Sequence, residues 1–276
     1  MQEVLFSDAR STRLAAVDRR LTDVIALSAT RQDRLSPAHQ LVLSMLGNRT
    51  YDHQSRAAYT QLLAAFGSLE NLSVAPAQSV MPHIAAVNFA DIKAARIPAA
   101  LRQIRAAGDD LDMTFLACLP VSVALSWLGS IKGVGRKVAA AVLNFSTLQM
   151  PALVLDSHHL RVCARLRIIP EHYSAERAYD LLMPLLPAHW TAADIESHHV
   201  KIKILGQQVC HHAQPKCPVC PVRALCPSAG VMAQTHTDSA LARAEMQNVT
   251  EPAVLTGTVS GRQEDTESGA IHARCR

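Results

Sequence analysis

The chain has 276 residues, 49% of them hydrophobic but only 4% aromatic, and a formal net charge of +4. That length buries a sizeable core in one large or two modest domains, and two are expected. Ala and Leu abound while Gly is sparse, a composition suited to packed helices rather than sheets, so an all-α protein is expected. No run approaches the ~18 apolar residues of a membrane span, and Met1 to Arg13 has no signal-peptide core, which leads us to expect a cytoplasmic protein. Residues 228–276 hold four Arg and six Asp or Glu, leaving 23 basic against 17 acidic residues in 1–227. Such a body suits a polyanionic partner without establishing one.

In chain order, Leu14, Val17, Leu21, Val24 and Ile25 recur at three- and four-residue spacing and predict an amphipathic helix packed on the body. Ser36-Pro37 opens the next helix, with proline in its first turn and Leu41, Val42, Met45 and Leu46 as its buried face. Gly47 to Asp52 is a polar break, after which Thr50 or Asp52 caps a helix through Tyr59, Leu62 and Phe66. Helices are expected around Pro76 to Val87 and Asp91 to Ala106, the second ended by Gly108. Trp127 reads as core.

The apolar run Val121 to Leu128 leads into Ile131-Lys132-Gly133-Val134-Gly135-Arg136-Lys137 and then an alanine-rich helix. This is helix, hairpin, helix. Gly133 and Gly135 allow positive φ and leave the backbone bare, so N–H groups at the start of the second helix can bind an anion. Lys132 and Arg136 add positive charge suited to a nucleic-acid phosphate. Lys137 falls in the first helical turn, where the macrodipole and its cationic neighbours favour the neutral, nucleophilic amine. Asp156 in Leu155-Asp156-Ser157-His158 reads as an N-cap. Further helices are expected through Arg167, from Ser174 to Leu186 and from Asp194 to Gly206. Adjacent histidines in a helix point about 100° apart, so His158, His159, His198 and His199 are read as caps or core hydrogen-bonding groups rather than metal ligands.

Cys210, Cys217, Cys220 and Cys226 form a C-x6-C-x2-C-x5-C cluster. Four thiols in so short a segment imply a metal centre, either an iron–sulfur cluster or a structural zinc, which often uses two C-x2-C knuckles where this chain has one. Beyond Pro227 apolar periodicity stops, and a mostly disordered tail is expected over 228–276, with Cys275 exposed.

Gly133-Val134-Gly135-Arg136-Lys137 together with Leu155-Asp156-Ser157-His158 resembles the endonuclease III branch of the helix-hairpin-helix DNA glycosylases, over roughly Pro37 to Pro227. The resemblance implies a two-lobed all-α fold. One lobe spans about 33–150, and the other pairs the N-terminal helix (1–32) with 151–227. It implies that Lys137 attacks the damaged nucleotide's sugar and that Asp156 assists base expulsion. Relatives that excise adenine opposite oxidised guanine usually lack this lysine, so a glycosylase with abasic-site lyase activity is implied, acting on oxidised pyrimidines in duplex DNA. The cysteine spacing matches the family's [4Fe-4S] loop, with Lys216 beside it as a basic finger for the backbone. Arg49 occupies the position of a side chain that fills the gap left by the flipped base. The segment Asn88-Phe89-Ala90-Asp91-Ile92-Lys93-Ala94 departs from the family pattern at Asn88 and Ala90, and Lys93 is read as a surface cation. A monomer is expected. The alternatives are a glycosylase for mismatched adenine or alkylated purines, and a non-catalytic, metal-stabilised DNA-binding protein.

Overall fold

The computed structural model describes residues 2–27, 34–108 and 110–230, and within them every regular element is helical. The tail expected from 228 lies, beyond residue 230, outside the described residues, as does Cys275. Ser228 and Ala229 still belong to the packed body: Ser228 Oγ donates to Arg165 O at 2.8 Å and Ala229 is buried.

Helix α1 spans Gln2–Thr22, α2 Pro37–Leu46, α3 Asp52–Phe66, α4 Leu69–Val74, α5 Ala77–Val80, α6 Ala90–Ala106, α7 Val121–Gly129, α8 Arg136–Phe145, α9 Ser157–Arg165, α10 Ala175–Leu182 and α11 Ala192–Gln208. Ser36 precedes α2 at the N-cap with proline just inside, as its sequence predicts. Two expectations change, and one helix was not foreseen. The segment 76–87 is a single helical turn running into a 3-10 turn, Met81–Ile84, rather than one helix. The short α4, begun by Ser68 accepting from Asn71 N–H, had no separate signal in the apolar pattern. At α3, Tyr51 holds the N-cap position and neither Thr50 nor Asp52 caps it. Among the described residues no helix is long and apolar enough to cross a membrane.

Helix α8 is the shared element. It packs on α2 and α7 and also on α10 and α11. Every residue from Val138 to Asn144 is buried, and the Ala139-Ala140-Ala141 run lets neighbouring helices approach closely. Helix α1 returns over α11, where Asp18 accepts from His198 Nδ1–H at 2.8 Å and from Lys201 Nζ at 2.9 Å.

His198 belongs to a buried imidazole cluster. His159 lies between His198 and His199, with ring centroids 5.3 and 5.9 Å away, and neither of its ring nitrogens has a hydrogen-bond partner among the described residues. His198 and His199 do make core bonds, the latter from Nδ1–H to Val154 O at 2.7 Å. Burial pushes all three pKa values below 6.5, that of His199 to about 4. Unfolded imidazoles titrate near 6.5, so below that pH the unfolded chain takes up protons that the folded state refuses. Stability is therefore full above about 6.5 and is lost as pH falls toward the folded values. Thermal melts should show the midpoint dropping from pH 7.5 to pH 5. His159→Leu removes two orphaned polar atoms, so it should raise stability by roughly 1–2 kcal/mol at neutral pH and flatten this dependence. A destabilised variant with an unchanged pH slope would contradict the account.

Candidate active site

Helix α8 starts from Gly135, an N-cap residue in extended conformation (φ −88, ψ 174). The amides of its first turn, on Arg136, Lys137 and Val138, have no intrahelical acceptor. The positive φ expected at both glycines occurs only at Gly133 (φ +94), where a Cβ would also stand 3.1 Å from the Arg96 side chain. In the hairpin, Lys132 N–H donates to Gln103 Oε1 (3.2 Å) and Val134 N–H to Ile131 O (2.9 Å). The amides of Gly133 and Gly135 have no acceptor among the described residues. Lys132 is exposed, while the Arg136 guanidinium lies 5.1 Å from the centre of the Tyr179 ring.

Lys137, the second residue of α8, is half-buried at the meeting of the two helix groups. Burial pushes its pKa down; Asp156 opposes this, Lys203 adds to the fall and Asp52 opposes it. The direction is the expected one, but the cation responsible is Lys203 from α11 rather than Lys132 or Arg136. Asp156, 8% exposed, caps α9 with Oδ1 accepting from His159 N–H at 2.8 Å. Capping fixes the carboxylate in place while its charge reaches Lys137, Arg161 and His199.

Lys93 overturns its reading as a surface cation. It is 7% exposed, and its Nζ donates to Leu46 O (2.7 Å), Asn48 O (2.8 Å) and Thr50 Oγ1 (2.9 Å). The ammonium thus closes the carbonyl end of α2, where a cation is electrostatically favoured. Burial, helped by the charge of Lys137, brings its pKa down to about 8. Two of its acceptors, Asn48 and Thr50, lie in the loop that carries Arg49, and Asn88 ties the same loop through Nδ2 to Arg49 O and through its amide to Thr50 Oγ1. Arg49 is exposed with φ 53, and its guanidinium is 5.8 Å from the ring of Phe89, itself at φ 59 and 50% exposed. Positive φ is uncommon outside glycine, and two such residues facing one another form a strained, solvent-facing tip.

Cys210, Cys217, Cys220 and Cys226 line one cavity with Arg165 and Arg223. Burial pushes the thiols of Cys220 and Cys226 up, and the neighbouring thiols push them further. All four in the thiolate form would repel one another unless a cationic centre lay among them. Arginines of α9 organise the loop: Arg165 Nη1 donates to Cys210 Sγ (3.2 Å) and His211 O (2.6 Å), and Arg161 Nε to Cys210 O (2.9 Å). Gly206 lets α9 and α11 meet, since a Cβ there would stand 2.7 Å from His158 Cβ. Among the described residues no three His, Cys, Asp or Glu side chains are arranged to hold a metal ion. Four thiols lining one cavity are a donor set that either an iron–sulfur cluster or a structural zinc uses. Lys216 is exposed on this loop, its N–H bonded to Val209 O at 2.8 Å.

No family model matches the chain. Endonuclease III of Escherichia coli (strain K12) is 32% identical over 99 residues, 36% of this chain and 44% of that protein, so the match spans less than half of that relative's length. Endonuclease III of Synechocystis is 24% identical over 224 residues, 79% of this chain and 96% of that protein. In fold, the chain is similar to a structure of a non-covalent endonuclease III–DNA complex, with a TM-score of 0.65 and 18% identity over 81% of this chain and 98% of that one. Sequence and fold converge: the chain is similar to endonuclease III in both, and its all-helical fold is that of the helix-hairpin-helix DNA glycosylases.

Proposed function

We propose that the protein is a base-excision-repair DNA glycosylase that also nicks abasic sites, acting on oxidised pyrimidines in duplex DNA. The observation that carries this is the Lys137 amine, half-buried at the open end of α8 with its pKa pushed down by burial, beside the fixed carboxylate of Asp156. A passive DNA-binding protein has no use for a lysine whose pKa is pushed down beside a buried aspartate. The hairpin amides of Gly133 and Gly135, with Lys132, Arg136 and Lys216, hold the backbone through phosphate contacts. Arg49 fills the place of the flipped nucleotide.

In the reaction, the neutral Lys137 nitrogen attacks C1′ and the glycosidic C1′–N bond breaks, its electron pair leaving with the base, which is protonated. Asp156 stabilises positive charge developing on the sugar and takes the proton shed by the lysine nitrogen. Opening of the sugar ring at O4′ gives an imine between Lys137 and C1′. Loss of a C2′ proton then expels the 3′ phosphate and cuts the strand, and water releases the enzyme. The four cysteines would hold a [4Fe-4S] cluster, which when bound supplies iron–thiolate bonds that fix the Lys216 loop and takes no part in hydrolysis.

Borohydride added during reaction with an abasic-site duplex should reduce the imine and leave protein joined to DNA. Lys137→Ala should lose that adduct while retaining DNA affinity. Asp156→Asn should slow release of an oxidised pyrimidine more than nicking of a preformed abasic site. Full trapping by Lys137→Ala would sink the mechanism, and a panel of damaged duplexes tests the base preference.

Protein purified under reducing conditions should carry about four irons per chain, held by four cysteines. Cys217→Ser should lose iron and fold poorly, because binding energy at such a loop is folding energy. Stoichiometric zinc without iron would contradict the cluster while leaving the fold standing.

A further inference from the structure

Arg49, given above the place of the flipped nucleotide, stands on a backbone that other residues hold. It sits at φ 53 in the break between α2 and α3, a conformation uncommon outside glycine that persists only where its surroundings impose it. The surroundings here are Asn88 and Lys93. On the residue before Arg49, Asn48 O accepts from Lys93 Nζ at 2.8 Å. Arg49 O itself accepts from Asn88 Nδ2. On the residue after, Thr50 Oγ1 accepts from Lys93 Nζ at 2.9 Å and from the Asn88 amide at 3.2 Å. Three consecutive residues are thus each tied to one short stretch of chain 38 to 45 positions away. Lys93 also donates to Leu46 O (2.7 Å), on the last residue of α2, which fixes the loop to the helix before it. The Arg49 side chain stays exposed, its guanidinium 5.8 Å from the centre of the Phe89 ring in the same stretch. Asn88, a departure from the family pattern, supplies the side-chain bond to Arg49 itself.

We propose that Asn88 and Lys93, joined at Thr50, are positioning residues that set the Arg49 loop before DNA arrives, so that Arg49 meets a gap in the base stack already placed to fill it. The inference rests on the gap-filling reading of Arg49. A buried ammonium with three oxygen partners anchors the loop from beneath, and Asn88 fixes it at the surface. A loop ordered in advance loses little conformational freedom on binding, so its contact in a gapped stack keeps more of its gross energy. An intact stack offers Arg49 no such space, while phosphate contacts through the hairpin are the same on both duplexes. The clamp therefore acts on discrimination between gapped and intact DNA.

The test compares dissociation constants for two duplexes that differ at one nucleotide, an unmodified duplex and one holding a single tetrahydrofuran abasic analogue, on which no chemistry follows binding. Unaltered protein should favour the analogue duplex, and Arg49→Ala should lower that preference. Asn88→Ala should lower it roughly three- to tenfold and Thr50→Val by a similar factor, whereas Thr50→Ser, which keeps the hydroxyl, should retain it. Adding Asn88→Ala to Arg49→Ala should cost nothing further, a coupling that damage elsewhere in the fold does not produce. Lys93→Met should behave like Asn88→Ala, and where it does not fold the Asn88 and Thr50 variants decide. If Arg49→Ala lowers the preference while Asn88→Ala and Thr50→Val leave it intact, or weaken binding to both duplexes equally, the clamp is overturned and the gap-filling role stands. If Arg49→Ala leaves the preference unchanged, or the unaltered protein has none, both are overturned together.

Discussion

Burying seven consecutive residues of α8 against α2, α7, α10 and α11 fixes where its amino end lies, among the helices that meet around it. Lys137, just before those residues, is carried in among them. The small side chains of Ala139 to Ala141 permit the close approach, and the open amides ahead of them follow from Gly135 having no side chain with which to cap the helix. The proposed grip on a backbone and the proposed reactive amine would thus be two consequences of one helix placement. Moving α8 by a turn would disconnect them.

Around that helix, charged groups are held by partners that leave them little freedom. Asp156 is fixed by capping, Lys93 by the carbonyl end of α2 and Lys203 by Asp52. A lysine surrounded by fixed charges of both signs needs no rearrangement to become a nucleophile, which is the physical content of preorganisation. Lys93 has a second consequence, because the oxygens it holds belong to the loop of Arg49. The shape of the exposed tip and the electrostatics of the buried amine are therefore coupled through one side chain.

The hairpin, the position of Lys137 ahead of an alanine-rich helix, the Asp156 cap and the four-cysteine loop were legible because each is local. Spacing along a helix or within a short loop is written directly in the chain. Lys203 and Asp52 were not legible as a pair, since 151 residues separate them and nothing in the periodicity of α11 marks Lys203 as the partner of α3. Lys93 was misread for a related reason: an isolated lysine in a helix is usually solvated, and only the folded carbonyl end of α2 explains its burial. His159 hides in the same way, since its burial between two other imidazoles depends on the meeting of α9 with α11.

The central claim is that one amine, that of Lys137, becomes bonded to the sugar. Mass spectrometry of the borohydride-reduced adduct, after digestion of both the DNA and the protein, reads this directly. The account predicts a deoxyribose remnant on Lys137 alone. A remnant on Lys203 or Lys93 would show that another amine in the same charged seam performs the attack, and would contradict it.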